Sequence, residues 1–305
     1  MNKRQKQVSS HTCPCPFRYY GQEIAPITAK KNRKWVGDLC IALAGFLLIV
    51  ALAAAFFLPQ LREKGTRYSS VHDIQNGEVL MVAHRGLSGM ELENSLPAFV
   101  LAGQNEYYGI EADVRVTKDG KYIITHDDDM TRIAGLDIRI EESTFDELRA
   151  LEFESPYGDE GTYFLPTLEE YITACKSHDK QAVLEYKGDF TAAQTVEVAG
   201  QVEALGWFDR TTFISFSRDD LLDLRAAYPN ANAQYIVQEV QNSDVEFMIE
   251  NNLDANLCWI SVNPFHVKKL HDAGLKVNVW TVDGYLCAYL MMLFGVDMIT
   301  TNILV

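Results

Sequence analysis

The chain has 305 residues, 48% of them hydrophobic and 23% charged, with 27 Lys and Arg against 42 Asp and Glu. That composition supports a packed core and excludes a disordered or low-complexity chain. A formal net charge of −15 argues against a nucleic-acid-binding surface, which needs the opposite sign.

Residues 1–34 invert the balance with eight Lys or Arg and one Glu, a net +7, which leaves −22 for the rest of the chain. Residues 39–58 then run for 20 positions without a charge. As a helix such a run is about 30 Å long, the thickness of a bilayer's hydrocarbon core. Lys30, Lys31, Arg33 and Lys34 precede it, so the positive-inside rule places the N-terminus in the cytoplasm and everything after the span outside. A buried globular helix fits poorly because the run is apolar all round. A cleaved signal peptide is the rival, with small residues at Ala51 and Ala53, but a 34-residue lead and a 20-residue apolar core are long for one. The expected organisation is a basic cytoplasmic tail (1–34), a transmembrane helix (35–58), a juxtamembrane linker (59–77) and one folded domain (78–305).

From residue 79 onward, strand and helix periodicities alternate. Strands are expected at 79–83, 110–116, 181–186, 211–215, 232–236, 257–261, 275–279 and 297–300. Helices are expected at 96–106, 167–178, 192–205, 218–228, 242–252, 264–273 and 284–294. This alternation, over a domain of roughly the usual size, predicts a parallel (β/α)8 TIM barrel. Lys118-Asp119-Gly120 makes a turn into a further short strand over 122–125. The stretch 127–165 breaks the period and includes a helix start at Ser143-Thr144-Phe145. It is expected as a small insertion after the second barrel strand, either an inserted cap over the barrel mouth or a solvated excursion. Five residues follow the last expected strand, so no barrel helix is expected after it, and residues 61–77 are candidates to cover the barrel floor.

Chemistry-bearing residues collect at the strand ends. The run 79–83 leads into His84-Arg85-Gly86, the run 122–125 into His126-Asp127, and Glu111 and Asp113 sit two apart on one strand face. Paired carboxylates facing one way suit a hard divalent cation. Two imidazoles suit proton transfer to and from oxygen, and Arg85 suits an anionic group such as a phosphate. Taken singly, His84-Arg85-Gly86 reads better as a strand end with a solvated arginine, and Glu111 with Asp113 as the polar face of an edge strand; His126-Asp127 could be an acidic loop. Their conjunction at successive strand ends favours an active site.

Together these residues resemble the glycerophosphodiester phosphodiesterase family. The resemblance rests on His84-Arg85-Gly86, Glu93-Asn94-Ser95, Glu111-Ala112-Asp113-Val114, Thr117-Lys118-Asp119-Gly120 and His126-Asp127, followed by Leu184-Glu185-Tyr186-Lys187 and Val279-Trp280-Thr281. It implies a divalent metal ion, Ca²⁺ or Mg²⁺, held by Glu111, Asp113 and Glu185. It also implies acid and base roles for His84 and His126, and charge neutralisation on the phosphoryl oxygens by Arg85 and Lys187. Glu93 and Asn94 are candidates to contact substrate or metal, with helix capping an equal alternative for Asn94. Phe216 and Trp280 are candidates to contact the glycerol or the alcohol, with core packing as their alternative. Ser95 stands where the family usually has threonine, and Thr300-Thr301-Asn302 where it commonly has an aspartate.

The implied reaction is hydrolysis of glycerophosphodiesters to sn-glycerol 3-phosphate and an alcohol, outside the membrane. A lysophospholipid-like substrate or a glycerol-phosphate wall polymer is the alternative on the same barrel, and a non-catalytic surface binding module is the alternative of another class. Cys175, Cys258 and Cys287 are too few and too scattered to imply a disulfide framework, and the sequence names no protein partner.

Overall fold

The computed structural model describes residues 79–154 and 162–304, so the basic tail, the apolar run and the linker lie outside the described residues. In chain order the elements are β1 (Leu80–Ala83), α1 (Leu96–Gln104), β2 (Gly109–Val116), β3 (Tyr122–Ile124), α2 (Thr131–Ala134), α3 (Phe145–Arg149), β4 (Phe153–Glu154), β5 (Thr162–Tyr163), α4 (Leu168–Ser177), β6 (Gln181–Tyr186), α5 (Ala192–Ala204), β7 (Thr211–Ser215), α6 (Arg218–Ala227), β8 (Asn232–Val237), α7 (Asn242–Asn251), β9 (Asp254–Cys258), α8 (Pro264–Asp272), β10 (Val277–Trp280), α9 (Tyr285–Phe294) and β11 (Met298–Thr301). β1 pairs in parallel with both β2 and β11, and β6 to β10 complete the ring, so eight parallel strands close on themselves. β3 lies antiparallel on β2, outside the closure.

Local sequence explains where the helices start. Thr167 with Glu170 and Thr191 with Gln194 form reciprocal capping boxes, and Ser95, Ser217 and Asn263 each accept a backbone N–H of the first turn. The cap of α1 is therefore Ser95, not Asn94, whose side chain is engaged elsewhere. The apolar run 257–261 misplaces one strand: β9 is Asp254–Cys258. The chain turns after it, with Ser261 N donating to Cys258 O at 3.0 Å, and Ile260 is 71% exposed. Polar Asn256 disguised the true strand, because it points into the barrel rather than to solvent.

Two packing layers follow from strand alternation. Residues such as Met81, Ile110, Leu184, Phe213, Leu257 and Ile299 face the helices and join the main core. Val82, Val183, Ile214 and Ile236 form a smaller cluster with Trp280 inside the barrel. Buried Tyr171 on α4 ties the layers together, its hydroxyl donating to Ile110 O at 2.7 Å and accepting from Val183 N at 2.9 Å.

The described residues between β2 and α4 form a small folded insertion, called the cap below, rather than a solvated excursion. Ile123, Met130, Ile140, Leu148 and Leu165 are buried in a core of its own, and Thr144 starts α3 with a capping box to Glu147. Among the described residues no helix is long and apolar enough to cross a membrane.

Candidate active site

The C-terminal end of a parallel barrel is where its loops converge. A cavity of about 240 Å³ opens there, and its wall includes His84, Arg85, Glu111, His126, Glu185, Lys187, Phe216 and Trp280. These are eight of the eleven residues singled out in the sequence. The other three stand behind the wall. Asp113 is 1% exposed, Asn94 clasps it with Nδ2 donating to Asp113 Oδ2 at 2.8 Å, and Glu93 sits between two arginines.

Alternation along β2 turns Glu111 and Asp113 inward, and Asp113 is in register with Glu185 on β6. Ligand oxygens of Glu111, Asp113 and Glu185 lie within 4.8 Å of one another. Glu111 Oε1 and Asp113 Oδ1 are buried with no hydrogen-bond partner. Burial and the neighbouring carboxylates of Asp113 and Glu185 push Glu111 well above the usual range, and burial with Asp113 pushes Glu185 up to about 7. Burial would raise Asp113 too, but Arg85 and Lys187 outweigh it and hold that carboxyl low. Buried carboxylates short of positive charge, with unpartnered oxygens converging, fit a hard divalent cation. The donor set does not distinguish Ca²⁺ from Mg²⁺.

The cationic side chains frame this triad. Arg85 and Gly86 both have positive φ, +56° and +76°, a turn that aims Arg85 N at Glu111 Oε2, 2.7 Å away. Arg85 Nη1 donates to Glu93 at 2.9 Å while its Nε lies 3.5 Å from Asp113. Lys187 Nζ lies 2.7 Å from Glu185 and 3.6 Å from Asp113, and 5.5 Å over the ring of Phe216. Phe216 meets Trp280 edge to face at 5.7 Å and is 44% exposed, at the mouth rather than in the core.

The two imidazoles have different surroundings. His84 Nδ1 is 2.7 Å from Asn302 Oδ1. The Asn302 amide is itself oriented, because Nδ2 donates to Asp283 Oδ2 at 2.7 Å. Oδ1 must then accept, which puts the His84 proton on Nδ1 and leaves Nε2 with a free lone pair. Burial and Arg85 lower this histidine to about 4, so it is neutral near pH 7. His126 is lowered too, by burial, although its Nδ1 meets the Asp127 carboxylate at 2.7 Å and that contact opposes the fall.

Behind His126 the cap contributes Arg132. Its Nε donates to Asp127 Oδ2 at 2.6 Å, and its two terminal nitrogens donate to the two oxygens of Glu93 at 2.7 Å each. Arg132, Asn302 and Asp283 were not among the residues singled out. Asn302 had a signal, since it occupies the family's aspartate position, whereas Arg132 and Asp283 had none.

A closed parallel barrel with a buried acidic triad, two flanking imidazoles and a basic rim defines a phosphoester hydrolase. The glycerophosphoryl diester phosphodiesterase family matches residues 84–304. The chain belongs to that family and is an enzyme of that class. It is 32% identical to rat glycerophosphodiester phosphodiesterase 1 over 243 residues, 68% of this chain and 72% of the relative. It is 25% identical to the glycerophosphodiester phosphodiesterase of Caldanaerobacter subterraneus subsp. tengcongensis, covering 74% of this chain and 94% of the relative. Among solved structures, a phosphodiesterase of Oleispira antarctica in complex with the product sn-glycerol-3-phosphate superposes with a TM-score of 0.67 at 26% identity, covering 74% of this chain and 93% of the other.

Proposed function

We propose that this protein hydrolyses glycerophosphodiesters to sn-glycerol 3-phosphate and an alcohol, with Glu111, Asp113 and Glu185 holding a divalent cation. The observation that carries the reading is that the triad and the two imidazoles share one cavity with Arg85 and Lys187. When bound, the cation supplies Lewis-acid polarisation of the phosphoryl group. Arg85 and Lys187 bind the anionic diester and neutralise charge that grows on its oxygens. His84 Nε2, neutral with its proton fixed on Nδ1, takes the proton of the attacking oxygen. His126, held through Nδ1 by the Asp127 carboxylate, gives its proton to the leaving alcohol as the phosphorus–oxygen bond breaks. Asn94 and Glu93 orient Asp113 and Arg85, and Phe216 with Trp280 supply an apolar wall for the glycerol carbons.

The chain is anchored by residues 35–58 with the N-terminus cytoplasmic and the barrel outside, a reading supported by the uncharged 20-residue run and the basic residues before it. The test is turnover of glycerophosphocholine by the full chain in detergent with Ca²⁺, with Mg²⁺ and with EDTA. Metal-dependent release of glycerol 3-phosphate, lost in His84→Ala and in His126→Ala, is expected. Full turnover in either variant refutes the assignment. Protease protection in sealed vesicles reads the topology.

A further inference from the structure

A second cavity, of about 560 Å³, adjoins the reaction site, and Lys187 lines both. One side comes from the loops that follow β2 and β6, the other from Asp128, Arg139 and Glu141 of the cap. Its charges are not balanced. Arg139 is taken, with Glu141 at 2.6 Å and Asp128 at 3.7 Å. Arg115 is not: its Nε donates to His126 O at 2.8 Å, and among the described residues no carboxylate lies within 4.0 Å of its guanidinium. That group is partly buried, and the lost solvation lowers its pKa although Asp113, Asp128, Asp127 and Glu185 oppose the fall from beyond 4.0 Å. Gly188 leaves space for it, since a Cβ there would stand 3.2 Å from Arg115 Nη1. Exposed Lys118 also lines the cavity, again with no carboxylate within 4.0 Å among the described residues; Asp189 lines it beside them, and Asp128 and Glu141 lie on the side of Arg139.

In a chain whose remainder after residue 34 carries −22, two cations with no carboxylate in direct contact, in a concavity beside the reaction site, leave room for an anion. We propose that this cavity is the subsite for the alcohol half of the substrate, and that it selects alcohols carrying their own oxyanion, a phosphate or a carboxylate. The inference rests on the reading of the reaction given above. Arg115 and Lys118 hold the second anion, while Lys187 stands between it and the scissile phosphate. A choline head, being cationic, gains nothing there.

The test compares kcat/KM within two matched pairs, using the full chain in detergent with its metal. Glycerophosphoserine and glycerophosphoethanolamine differ by one carboxylate. Glycerophosphoglycerol and the same diester bearing a terminal phosphate differ by one phosphate. A preference of about tenfold or more for the anionic member of one pair is expected, falling below about threefold in Lys118→Gln and in Arg115→Gln. The ratio is read within each variant, so loss of folded protein cancels, and the responding pair tells phosphate from carboxylate. Equal turnover within both pairs, or a preference unchanged in both variants, overturns the subsite while the reaction stands. If none of the four is hydrolysed, the reaction reading fails instead. The subsite is then read by titration calorimetry with the phosphate-bearing diester: binding about tenfold weaker in Lys118→Gln supports it, and no binding or equal affinity overturns it.

Discussion

Replacing Arg132 by alanine tests whether the cap helps to organise the proton-transfer site. The change removes three charge-assisted hydrogen bonds, two to Glu93 and one to Asp127. Fully buried, each would be worth about 1.5–3 kcal/mol, but the Arg132 side chain is 43% exposed. Discounting toward solvent-exposed ion pairs leaves roughly 1–2 kcal/mol of stability in total. That loss should depend on pH in a definite direction. Burial would raise Asp127 and Glu93, but hydrogen bonds from His126 and Arg132 hold Asp127 low, and those from Arg132 and Arg85 hold Glu93 low. A depressed carboxylate contributes stability that is fully present above its unfolded value of about 4 and is lost as pH falls below it. Urea melts of the wild type and Arg132→Ala should therefore differ by the same amount between pH 7 and about 5, and the difference should begin to shrink as pH falls below about 4. The kinetic effect should be larger than the thermodynamic one. With Asp127 free to turn, His126 loses its fixed orientation, and kcat should fall about 10–100-fold, or 1.4–2.8 kcal/mol. Arg132→Lys should recover part of it, because an ammonium is a point charge that cannot reproduce the fork on Glu93 while also reaching Asp127. Wild-type kcat in Arg132→Ala would refute the argument, whatever happens to stability.

Other outcomes follow from the same geometry. Divalent cation at about 100 times its Kd should stabilise the fold by about 2.7 kcal/mol, raising Tm by roughly 5–10 °C over EDTA; an unchanged Tm in scanning calorimetry would remove the support for the metal site. Glu111→Gln should cancel that metal-dependent rise and yet raise the Tm measured in EDTA, because it removes like-charge repulsion among buried carboxylates. Gly86→Ala places a Cβ 2.7 Å from the Ala98 carbonyl carbon at φ +76°, and a loss of about 2 kcal/mol or more is expected; a urea midpoint equal to the wild type would contradict the contact. Burial pushes the Cys175 thiol up to about 12, whereas Cys287 is only half-buried. Among the three cysteines of the described residues, iodoacetamide at pH 8 should modify Cys287 first and spare Cys175 in the native protein, an order that peptide mass spectrometry reads.

The barrel was legible because its signals are local. Apolar runs of strand length alternate with capped amphipathic helices, and the caps at Ser95, Thr167, Thr191 and Asn263 are written within four residues of the helices they start. The strand that escaped, β9, has the opposite character. It begins Asp254-Ala255-Asn256, polar because Asp254 accepts from Lys276 N and Asn256 turns inward near Trp280, whose indole donates to Asn256 O. A barrel whose interior carries polar side chains erases the alternation that marks a strand.

The same division separates the two tiers of the site. Residues that would touch substrate or cation, His84, Glu111, Asp113, His126 and Glu185, sit at strand ends and are visible as motifs. The residues that aim them are far away in sequence: Asn302 is 218 positions from His84, and Arg132 is 39 from Glu93. Little marks them: Asn302 stands out only by ending the run where the family commonly has an aspartate, and an arginine on a four-residue helix has many bland uses. Their identity still constrains the chemistry. Asn302 accepts from the His84 Nδ1–H without adding charge, while the acid, Asp283, stands one hydrogen bond further back. An aspartate in direct contact with the imidazole would favour its protonated form more strongly; with an amide there, burial and Arg85 prevail and keep His84 neutral. Asp127, by contrast, touches His126 directly and favours the imidazolium. One histidine next to an amide and one next to a carboxylate is the contrast on which the proposed roles rest, the first accepting a proton and the second donating one.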